Sequence, residues 1–301
     1  MTASAPEPAP ASAPAPASES ASAPVLLITG TSSGIGRATA VAAARAGYTV
    51  VATMRDVTKA APLRAAALEA GVTVDVQPLD VTDAASIEAG IGYVIATYGR
   101  LDALLNNAGA GHVGTIEAEP LDAVRAVMEV NFFGVVAVSR AAMPLLRESR
   151  GRLVTVSSVG GVVGQPFNEA YCAAKFAVEG FLESLAPVAA TVGVRVTVVE
   201  PGAVSTEFVA NVGVDGSQPT DGTPYEPAFA AYLERTRTAF DPANAQTAEG
   251  VADVLVELLL SDEPPARVQT SEAAKRFVGV KLADLDGSAV QGLTAGWVAT
   301  A

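Results

Sequence analysis

Residues 25–37 read VLLITGTSSGIGR, and this stretch decides the fold. Its first five residues are apolar or β-branched without alternation, which is typical of a parallel strand covered on both faces. Gly30, Gly34 and Gly36 follow, and an Ala-rich stretch with helical spacing begins at once. A strand that passes through a glycine-rich turn into a helix N-terminus predicts a site for the phosphates of a dinucleotide. The spacing G-x-x-x-G-x-G is weak evidence when taken alone.

Short apolar runs continue to alternate with amphipathic stretches along the chain. The strand candidates are Val25–Thr29, Thr49–Thr53, Thr73–Pro78, Ala103–Asn106, Arg152–Ser157, Val194–Glu200 and an edge strand Ala266–Thr270. The helical stretches cover roughly residues 35–46, 59–70, 83–98, 120–148, 169–192, 229–240 and 245–260. This alternation predicts a single α/β domain over residues 25–270, built on a Rossmann-type doubly wound parallel β-sheet. Residues 271–301 are expected to be a C-terminal extension of unassigned structure.

Composition excludes several classes of protein. A formal net charge of -13 argues against binding nucleic acid through a basic surface. The single cysteine, Cys172, and the single histidine, His112, exclude an internal disulfide and a Cys/His metal cluster, so no metal site is expected. No uninterrupted apolar run reaches the length of a membrane span. These features favour a reducing, cytoplasmic setting.

Two segments depart from the alternation of strands and helices. Residues 1–24 are almost entirely Ala, Pro and Ser, which predicts a disordered, partly polyproline-II tail. Residues 205–245 carry several glycines and prolines ahead of a helical stretch, which predicts a lid over the site, with a poorly ordered connector as the alternative. Four aromatic residues either form that lid or pack it down: Phe208, Tyr225, Phe229 and Tyr232.

The end of the second strand indicates which dinucleotide is bound. Folds that take NAD place an acidic side chain there to hold the ribose 2′-hydroxyl. Met54 cannot do so, whereas Arg55 would favour a 2′-phosphate, helped by Arg37 after the glycine-rich turn. The sequence therefore favours NADP(H). NAD(H) is the alternative if Arg55 is only a solvated surface charge.

Tyr171 and Lys175 begin a helical stretch and lie four residues apart on one face. A phenol has a pKa near 10 in water, and a neighbouring ammonium lowers it by stabilising the phenolate. Tyr171 is then suited to exchange a proton while a hydride moves at carbon. The pattern Y-x-x-x-K is common by chance, but three polar companions raise its weight: Ser158, the pair Asn106-Asn107, and Asn131 in a helical stretch.

With these motifs in place, the chain resembles the short-chain dehydrogenase/reductase family. T-G-x-x-x-G-x-G, N-N-A-G, an Asn in the fourth helix, a Ser, Y-x-x-x-K and P-G-A-V-S-T follow in the family's order over about residues 25–206. The resemblance implies a catalytic set of Asn131, Ser158, Tyr171 and Lys175. Tyr171 would be the acid/base and Ser158 would orient the substrate oxygen. Lys175 would lower the pKa of Tyr171 and hold the nicotinamide ribose, and Asn131 would anchor a water that relays protons to Lys175.

The same resemblance implies sets of binding residues. Asp80 resembles the residue that contacts the adenine, and Thr206 would hold the carboxamide. The whole cofactor-binding set is Gly30, Ser32, Ser33, Gly34, Ile35, Gly36, Arg55, Asp80, Val81, Asn107, Ala108, Gly109, Tyr171, Lys175, Pro201, Gly202, Val204 and Thr206. The substrate would contact Ser158, Gln165, Phe167, Asn168 and Tyr171.

Residues 158–180 also resemble one group within the family, the type 1 17β-hydroxysteroid and photoreceptor retinol dehydrogenases. That group implies NADP(H) and a hydrophobic alcohol or ketone, of steroid, retinoid or similar type. The histidine that the steroid enzyme uses after the position of Thr206 has no counterpart here. The alternatives are a 3-oxoacyl or polyketide ketoreductase and a catalytically silent cofactor-binding scaffold. Family members pair through the helices equivalent to 120–148 and 169–192, which implies a homodimer or homotetramer.

Overall fold

The structure, a computed structural model, describes residues 23–117, 119–207, 220 and 222–299. The predicted tail lies outside these residues except for its last two. The predicted lid lies outside them at 208–219 and 221, and with it Phe208.

In this part of the chain one sheet of seven parallel strands forms the centre of the molecule. The strands are β1 (Val25–Thr29), β2 (Thr49–Met54), β3 (Asp75–Pro78), β4 (Ala103–Asn106), β5 (Arg152–Val156), β6 (Arg195–Glu200) and β7 (Arg267–Gln269). Their order across the sheet is β3-β2-β1-β4-β5-β6-β7. The order reverses between β1 and β4, which opens a crevice beyond the carboxyl ends of these two strands. The predicted doubly wound sheet is confirmed, with strand ends shifted by one or two residues.

Helices cover both faces of the sheet. They are α1 (Gly34–Arg45), α2 (Ala61–Glu69), α3 (Ala84–Tyr98), α4 (Leu121–Met128), α5 (Gly134–Ser149), α6 (Glu169–Ala190), α7 (Glu226–Phe240), α8 (Ala248–Leu260), α9 (Glu272–Leu282) and α10 (Ser288–Ala295). One apolar core joins the sheet to α1, α2 and α8, and a second joins it to α3, α5 and α6. Strands buried on both faces explain why their sequences are continuously apolar rather than alternating.

The predicted helix over 120–148 is interrupted. A single π turn, Glu129–Phe133, separates α4 from α5, and Asn131 lies within it. The Asn131 side chain donates to the carbonyl of Val127, one turn earlier, at 3.1 Å, and to the carbonyl of Ala110 at 2.9 Å. A side-chain amide that takes a carbonyl from the helix ladder accounts for the widened turn, a feature that occurs often at functional sites.

The end of the chain, unassigned from the sequence, contains α9 and α10. Val278 and Val290 of these helices form an apolar cluster with Val162 and Val163. Beyond α10, Trp297 stacks on the ring of Phe277 with 5.7 Å between the ring centroids. The C-terminal helices therefore pack on the same domain, next to the segment that follows β5.

Two classes of feature are missing from the residues that the structure covers. No helix among them has the length and apolar character needed to cross a bilayer. The same residues contain no group of three or more His, Cys, Asp and Glu side chains able to hold a metal ion.

Candidate active site

The predicted cofactor-binding residues lie at one edge of the sheet, except for Tyr171 and Lys175, which approach that edge from α6. The segment 30–36 follows β1, Arg55 follows β2, 80–81 follows β3, 107–109 follows β4 and 201–206 follows β6. Because parallel strands end at the same edge, residues distant in sequence come together around the crevice between β1 and β4.

The glycine-rich turn leaves space for a ligand at the start of α1. Gly30 has a φ of +71°, and a Cβ on Gly36 would overlap the Gly30 carbonyl oxygen and the Asn107 side chain. Ser33 at the N-cap makes no side-chain capping bond, so its hydroxyl does not occupy the first-turn amides of the helix. This turn therefore has the backbone donors and the close approach that a dinucleotide pyrophosphate needs.

A carboxylate already lies at that turn. Glu207 forms an ion pair with Arg37, with 3.2 Å between Nη2 and Oε1. Its pKa is lowered by hydrogen bonds from its own backbone amide, by Arg37 and by the Gly34 amide. An anion is thus stabilised at the start of α1. Of the two arginines that the sequence assigned to a 2′-phosphate, Arg37 is engaged, while Arg55 is exposed and forms no ion pair within the described chain.

Asn107 supports the turn from behind. Its Nδ2 donates to the carbonyls of Thr29 and Gly30 at 3.0 and 2.8 Å, and its backbone amide donates to the Thr29 hydroxyl. The side chain therefore fixes the distance between β4 and the glycine-rich turn. Asp80 is also partly engaged, because its Oδ1 accepts bonds from the backbone and hydroxyl of Thr82.

Gly160 lies where three side chains meet, those of Ser158, Gln165 and Tyr171. A Cβ built on Gly160 would lie 3.3 Å from Ser158 Oγ, 3.3 Å from Gln165 Nε2 and 3.4 Å from the Tyr171 ring. Behind the ring, Lys175 is only 5% exposed, and its Nζ lies 5.8 Å from the ring centroid. Lys175 Nζ donates to the carbonyl of Val156 at 3.1 Å. A hydroxyl, a phenol and a buried amine thus share one small volume at the end of β5.

Burial opposes charge on both members of the Tyr171–Lys175 pair. Burial raises the pKa of Tyr171 to about 12, with the Ser158 hydroxyl acting in the other direction. Burial likewise lowers the pKa of Lys175 to about 8, opposed by the Glu179 carboxylate. The sequence predicted a lowered pKa for Tyr171, and in the chain alone that direction is wrong. Removal from water dominates the pKa of Tyr171, while the Lys175 amine donates to the Val156 carbonyl.

Asn131 and Lys175 both lie close to Gly109. Asn131 is fully buried, and its Oδ1 accepts a bond from the Ala110 amide at 3.2 Å. A Cβ on Gly109 would lie 3.0 Å from Asn131 Oδ1 and 3.8 Å from Lys175 Nζ. A side chain at position 109 would therefore press on Asn131 and reach the space beside Lys175.

Phe167 and Asn168, which the sequence assigns to the substrate site, contact α7, a helix within the segment that the sequence predicts to be a lid. Phe167, with a φ of +62°, packs its ring on Phe229 and Tyr232. The Asn168 amide donates to the Tyr232 hydroxyl at 2.7 Å, so it holds α7 rather than facing open space. A cavity of about 240 Å³ lies beside this cluster, lined by Thr115, Ile116, Pro166, Phe167, Glu169, Tyr225, Ala228 and Val298.

Sequence reasoning missed two clusters of ionisable side chains near the site. His112 pairs with Glu119, with 2.8 Å between Nε2 and Oε1, on the loop that follows β4. Glu179 and Glu200 are buried carboxylates that share Arg267. Two features of the sequence could have indicated the buried carboxylates. Glu179 follows Lys175 by four residues, and the apolar run 194–200 ends in the acidic residue Glu200.

Comparison with known proteins identifies relatives of the whole domain. Residues 24–215 match the family described as short chain dehydrogenase. Retinol dehydrogenase 8 from Bos taurus is 39% identical over 253 residues, covering 81% of this chain and 79% of that protein. 17-beta-hydroxysteroid dehydrogenase type 1 from Homo sapiens is 38% identical over 248 residues, covering 80% and 74%.

Solved structures agree with the fold. A short-chain dehydrogenase from Streptomyces avermitilis superimposes with a TM-score of 0.73 at 33% identity, covering 93% of this chain and 97% of that one. An alcohol dehydrogenase from Thermococcus sibiricus, complexed with 5-hydroxy-NADP, gives 0.66 at 25% identity with 82% and 95% covered. A Burkholderia phymatum relative, in complex with NAD, gives 0.76 at 25% identity with 88% and 94% covered. Structures of this kind bind either nicotinamide dinucleotide.

Proposed function

The chain belongs to the short-chain dehydrogenase family and is an oxidoreductase acting on alcohol or carbonyl groups. From that premise we propose that it transfers a hydride between NADP(H) and a hydrophobic alcohol or ketone of steroid, retinoid or similar type. The observation that carries the proposal is the convergence of Ser158, Tyr171 and Lys175 at the end of β5. Residues 108–109 link that point to the glycine-rich turn, because a Cβ on Gly30 would meet Ala108 and a Cβ on Gly109 would lie 3.8 Å from Lys175 Nζ.

A bound nicotinamide dinucleotide supplies the hydride donor or acceptor. Tyr171 donates its hydroxyl proton to the carbonyl oxygen during reduction and accepts a proton during oxidation. The Ser158 hydroxyl hydrogen-bonds the same oxygen and fixes it against the phenol. Lys175 provides positive charge behind the ring, and Asn131 holds the loop carrying Ala110 in place through two bonds to its backbone.

The cofactor proposal depends on Arg55. This side chain is exposed at the end of β2, and its charge is not neutralised by an ion pair within the described residues. A guanidinium in that position matches the 2′-phosphate of NADP and offers no acceptor for the 2′-hydroxyl of NAD. Arg37 contributes less, because Glu207 already pairs with it.

The substrate proposal depends on the apolar surroundings of the site. Phe167, Tyr225 and Ala228 line the cavity beside α7, and Val298 from the end of the chain completes it. Relatives named for retinol and for hydroxysteroids are 39% and 38% identical to this chain over 81% and 80% of its length. We therefore place an apolar ketone or aldehyde ahead of a 3-oxoacyl thioester.

Turnover by the purified protein tests the whole proposal. The protein is mixed with NADPH and separately with a steroid ketone, a retinoid aldehyde and a 3-oxoacyl thioester, and loss of the reduced cofactor's absorbance is followed. Consumption with the first two substrates is expected. Faster turnover of the thioester would favour the ketoreductase alternative, and NADPH binding without turnover of any substrate would favour a silent scaffold.

We further propose that the chain forms a homodimer or homotetramer through α4, α5 and α6. Large apolar side chains are exposed there, including Leu121, Phe133 and Phe176. Light scattering on the eluting protein would distinguish one copy from two or four. The cytoplasmic location, the disordered tail over 1–24 and the lid over 205–245 stay predictions.

A further inference from the structure

A buried carboxylate lies one turn beyond Lys175 on α6. Glu179 is 4% exposed, and no part of the proposed proton transfer uses it. A Cβ on Gly161 would lie 2.6 Å from Ser157 Oγ and 3.1 Å from Glu179 Oε1, so the hydroxyl and the carboxylate face the same point. Burying an ionised carboxylate is unfavourable unless nearby charges compensate for it.

Arg267 of β7 is the first compensating charge. Its Nη2 lies 3.5 Å from Glu179 Oε2, and its Nε lies 2.8 Å from Oε1 of Glu200, which is fully buried at the end of β6. Gln269 also donates to Glu200, at 2.9 Å. One guanidinium thus serves two buried carboxylates. The exposed Glu183 lies 3.1 Å from the same Nη2 but is open to solvent.

Lys175 is the second compensating charge. Lys175 lies one turn before Glu179 on the same helix, and the charges of the two groups influence each other. Burial raises the pKa of Glu179 to about 7, and Glu200 raises it further, while Ser157, Arg267 and Lys175 oppose the change. The lysine and Glu179 therefore depend on one another for their charge.

We propose that Glu179, anchored by Arg267, is a positioning residue for the reaction: its carboxylate is the counterion that keeps Lys175 an ammonium behind Tyr171. Among the described residues, Lys175 Nζ donates a hydrogen bond to the Val156 carbonyl, and that carbonyl can accept a bond from a neutral amine as well. The kinetic consequence rests on the proposed function, but the charge of Lys175 exists whether or not the protein turns over substrate.

Direct titration of Lys175 tests the charge. The chain has only four lysines, so side-chain NMR of protein carrying ¹³C-lysine resolves them, and Lys175→Arg assigns the signal by its loss. Wild type should titrate near pH 8. In Glu179→Gln the midpoint should fall by about one pH unit or more, because an opposite charge is lost nearby. Glu179→Asp should restore part of the difference.

Glu183→Gln is the matched control, because it removes a carboxylate that also pairs with Arg267 but lies at the surface. Its Lys175 midpoint should equal that of wild type. Equal midpoints in wild type and Glu179→Gln would overturn the proposal. If the Lys175 midpoint fell as far in Glu183→Gln as in Glu179→Gln, the proposal would also be overturned. The overall negative charge of the region, rather than Glu179, would then determine the pKa of Lys175.

Kinetics provide the second readout. In the pH profile of kcat/KM for ketone reduction, activity falls on the alkaline side. That fall should occur at lower pH in Glu179→Gln, by the same amount as the shift of the Lys175 titration midpoint. In Glu183→Gln it should occur at the same pH as in wild type. A merely structural role would lower the rate without moving the pH of that fall, which would contradict the inference. If wild type turns over no substrate, the proposed function fails, while the lysine titration still decides the role of Glu179.

Discussion

Tyr171 must be both shielded from water and able to part with a proton. Burial outweighs the Ser158 hydroxyl and raises the pKa of its phenol to about 12, which disfavours the phenolate by several kcal/mol at neutral pH. Ser158 and positive charge must therefore lower the barrier at the moment of transfer. The buried amine of Lys175, 5.8 Å from the ring centroid, is the cation that the chain itself provides.

Removal of the phenolic oxygen is accordingly the first prediction. Tyr171→Phe should lower kcat roughly 10²- to 10⁴-fold, because general acid–base catalysis contributes about that much. Cofactor affinity should change little, since the ring and its packing remain. Tyr93→Phe is a matched control, because it also removes a phenolic oxygen, one that bonds Asp75 far from the crevice. Steady-state kinetics and cofactor titration check both variants, and an active Tyr171→Phe would contradict the assignment.

Arg55 is the residue that decides the nucleotide. Arg55→Ala should weaken NADPH binding by roughly 10- to 100-fold, because a hydrogen bond to a charged group contributes about 1.5–3 kcal/mol. NADH lacks the 2′-phosphate, so its affinity should hardly change. Arg195→Ala removes an exposed arginine at the opposite end of the strands and should alter neither affinity. Equal losses for both nucleotides in Arg55→Ala would show that the 2′-phosphate is bound elsewhere.

At the scale of elements, the turn between β1 and α1 tolerates no side chain at its last glycine. A Cβ on Gly36 would overlap the Gly30 carbonyl and Asn107, both of which hold the turn together. We predict that Gly36→Ala loses nearly all cofactor binding while the sheet still forms. The turn must move away from β4 to accommodate the methyl group.

Gly92→Ala is the control for that variant. Gly92 lies within α3, and a Cβ there meets nothing within 4 Å. The change should raise the free energy of unfolding by about 0.4–1 kcal/mol, because alanine restricts the unfolded chain. Cofactor titration and urea unfolding distinguish the two variants. Normal cofactor affinity in Gly36→Ala would mean that the pyrophosphate does not approach this turn.

Elements with strong local signals could be predicted from the sequence, whereas those fixed by distant contacts could not. The seven strands and the glycine-rich turn follow from continuous apolar runs and glycine spacing, so their positions were correct. The Asn131 side chain at the π turn bonds the Val127 carbonyl of its own helix and the Ala110 carbonyl of a separate loop, and no local pattern indicates the second contact. The start of α9 had a usable signal, since Ser271 caps the Ala274 amide.

The same distinction applies to the site. Tyr171, Lys175 and Ser158 were found from spacing, and the fold brings them together. The direction of the pKa of Tyr171 was wrong because burial, which dominates it, is a property of the packed domain. Arg267 and Glu179 come from β7 and α6, and only the position of β7 beside β6 brings them within 3.5 Å.

For the molecule as a whole, the buried charges behind Tyr171 reduce stability near neutral pH. The folded-state pKa of Glu179 is raised from 4.5 to about 7, so its neutral form is fully compatible with the fold below pH 4.5. As the pH rises toward 7, the unfolded chain releases this proton first, and stability falls. Lys175 acts at higher pH, because folding lowers its pKa from 10.5 to about 8. Between pH 8 and 10.5 the unfolded chain holds the proton that the folded chain has lost, so stability returns as the pH rises.

We therefore predict a minimum in the free energy of unfolding between about pH 7 and 8, measured by urea denaturation at closely spaced pH values. Glu179→Gln should lose less stability than wild type between pH 5 and 7.5, by an amount of up to about 3 kcal/mol, because the buried group no longer ionises. Glu183→Gln should follow wild type, since its carboxylate is solvated. The overall charge of -13 acts on all three proteins alike, so parallel curves for wild type and Glu179→Gln would assign the pH dependence to general repulsion instead.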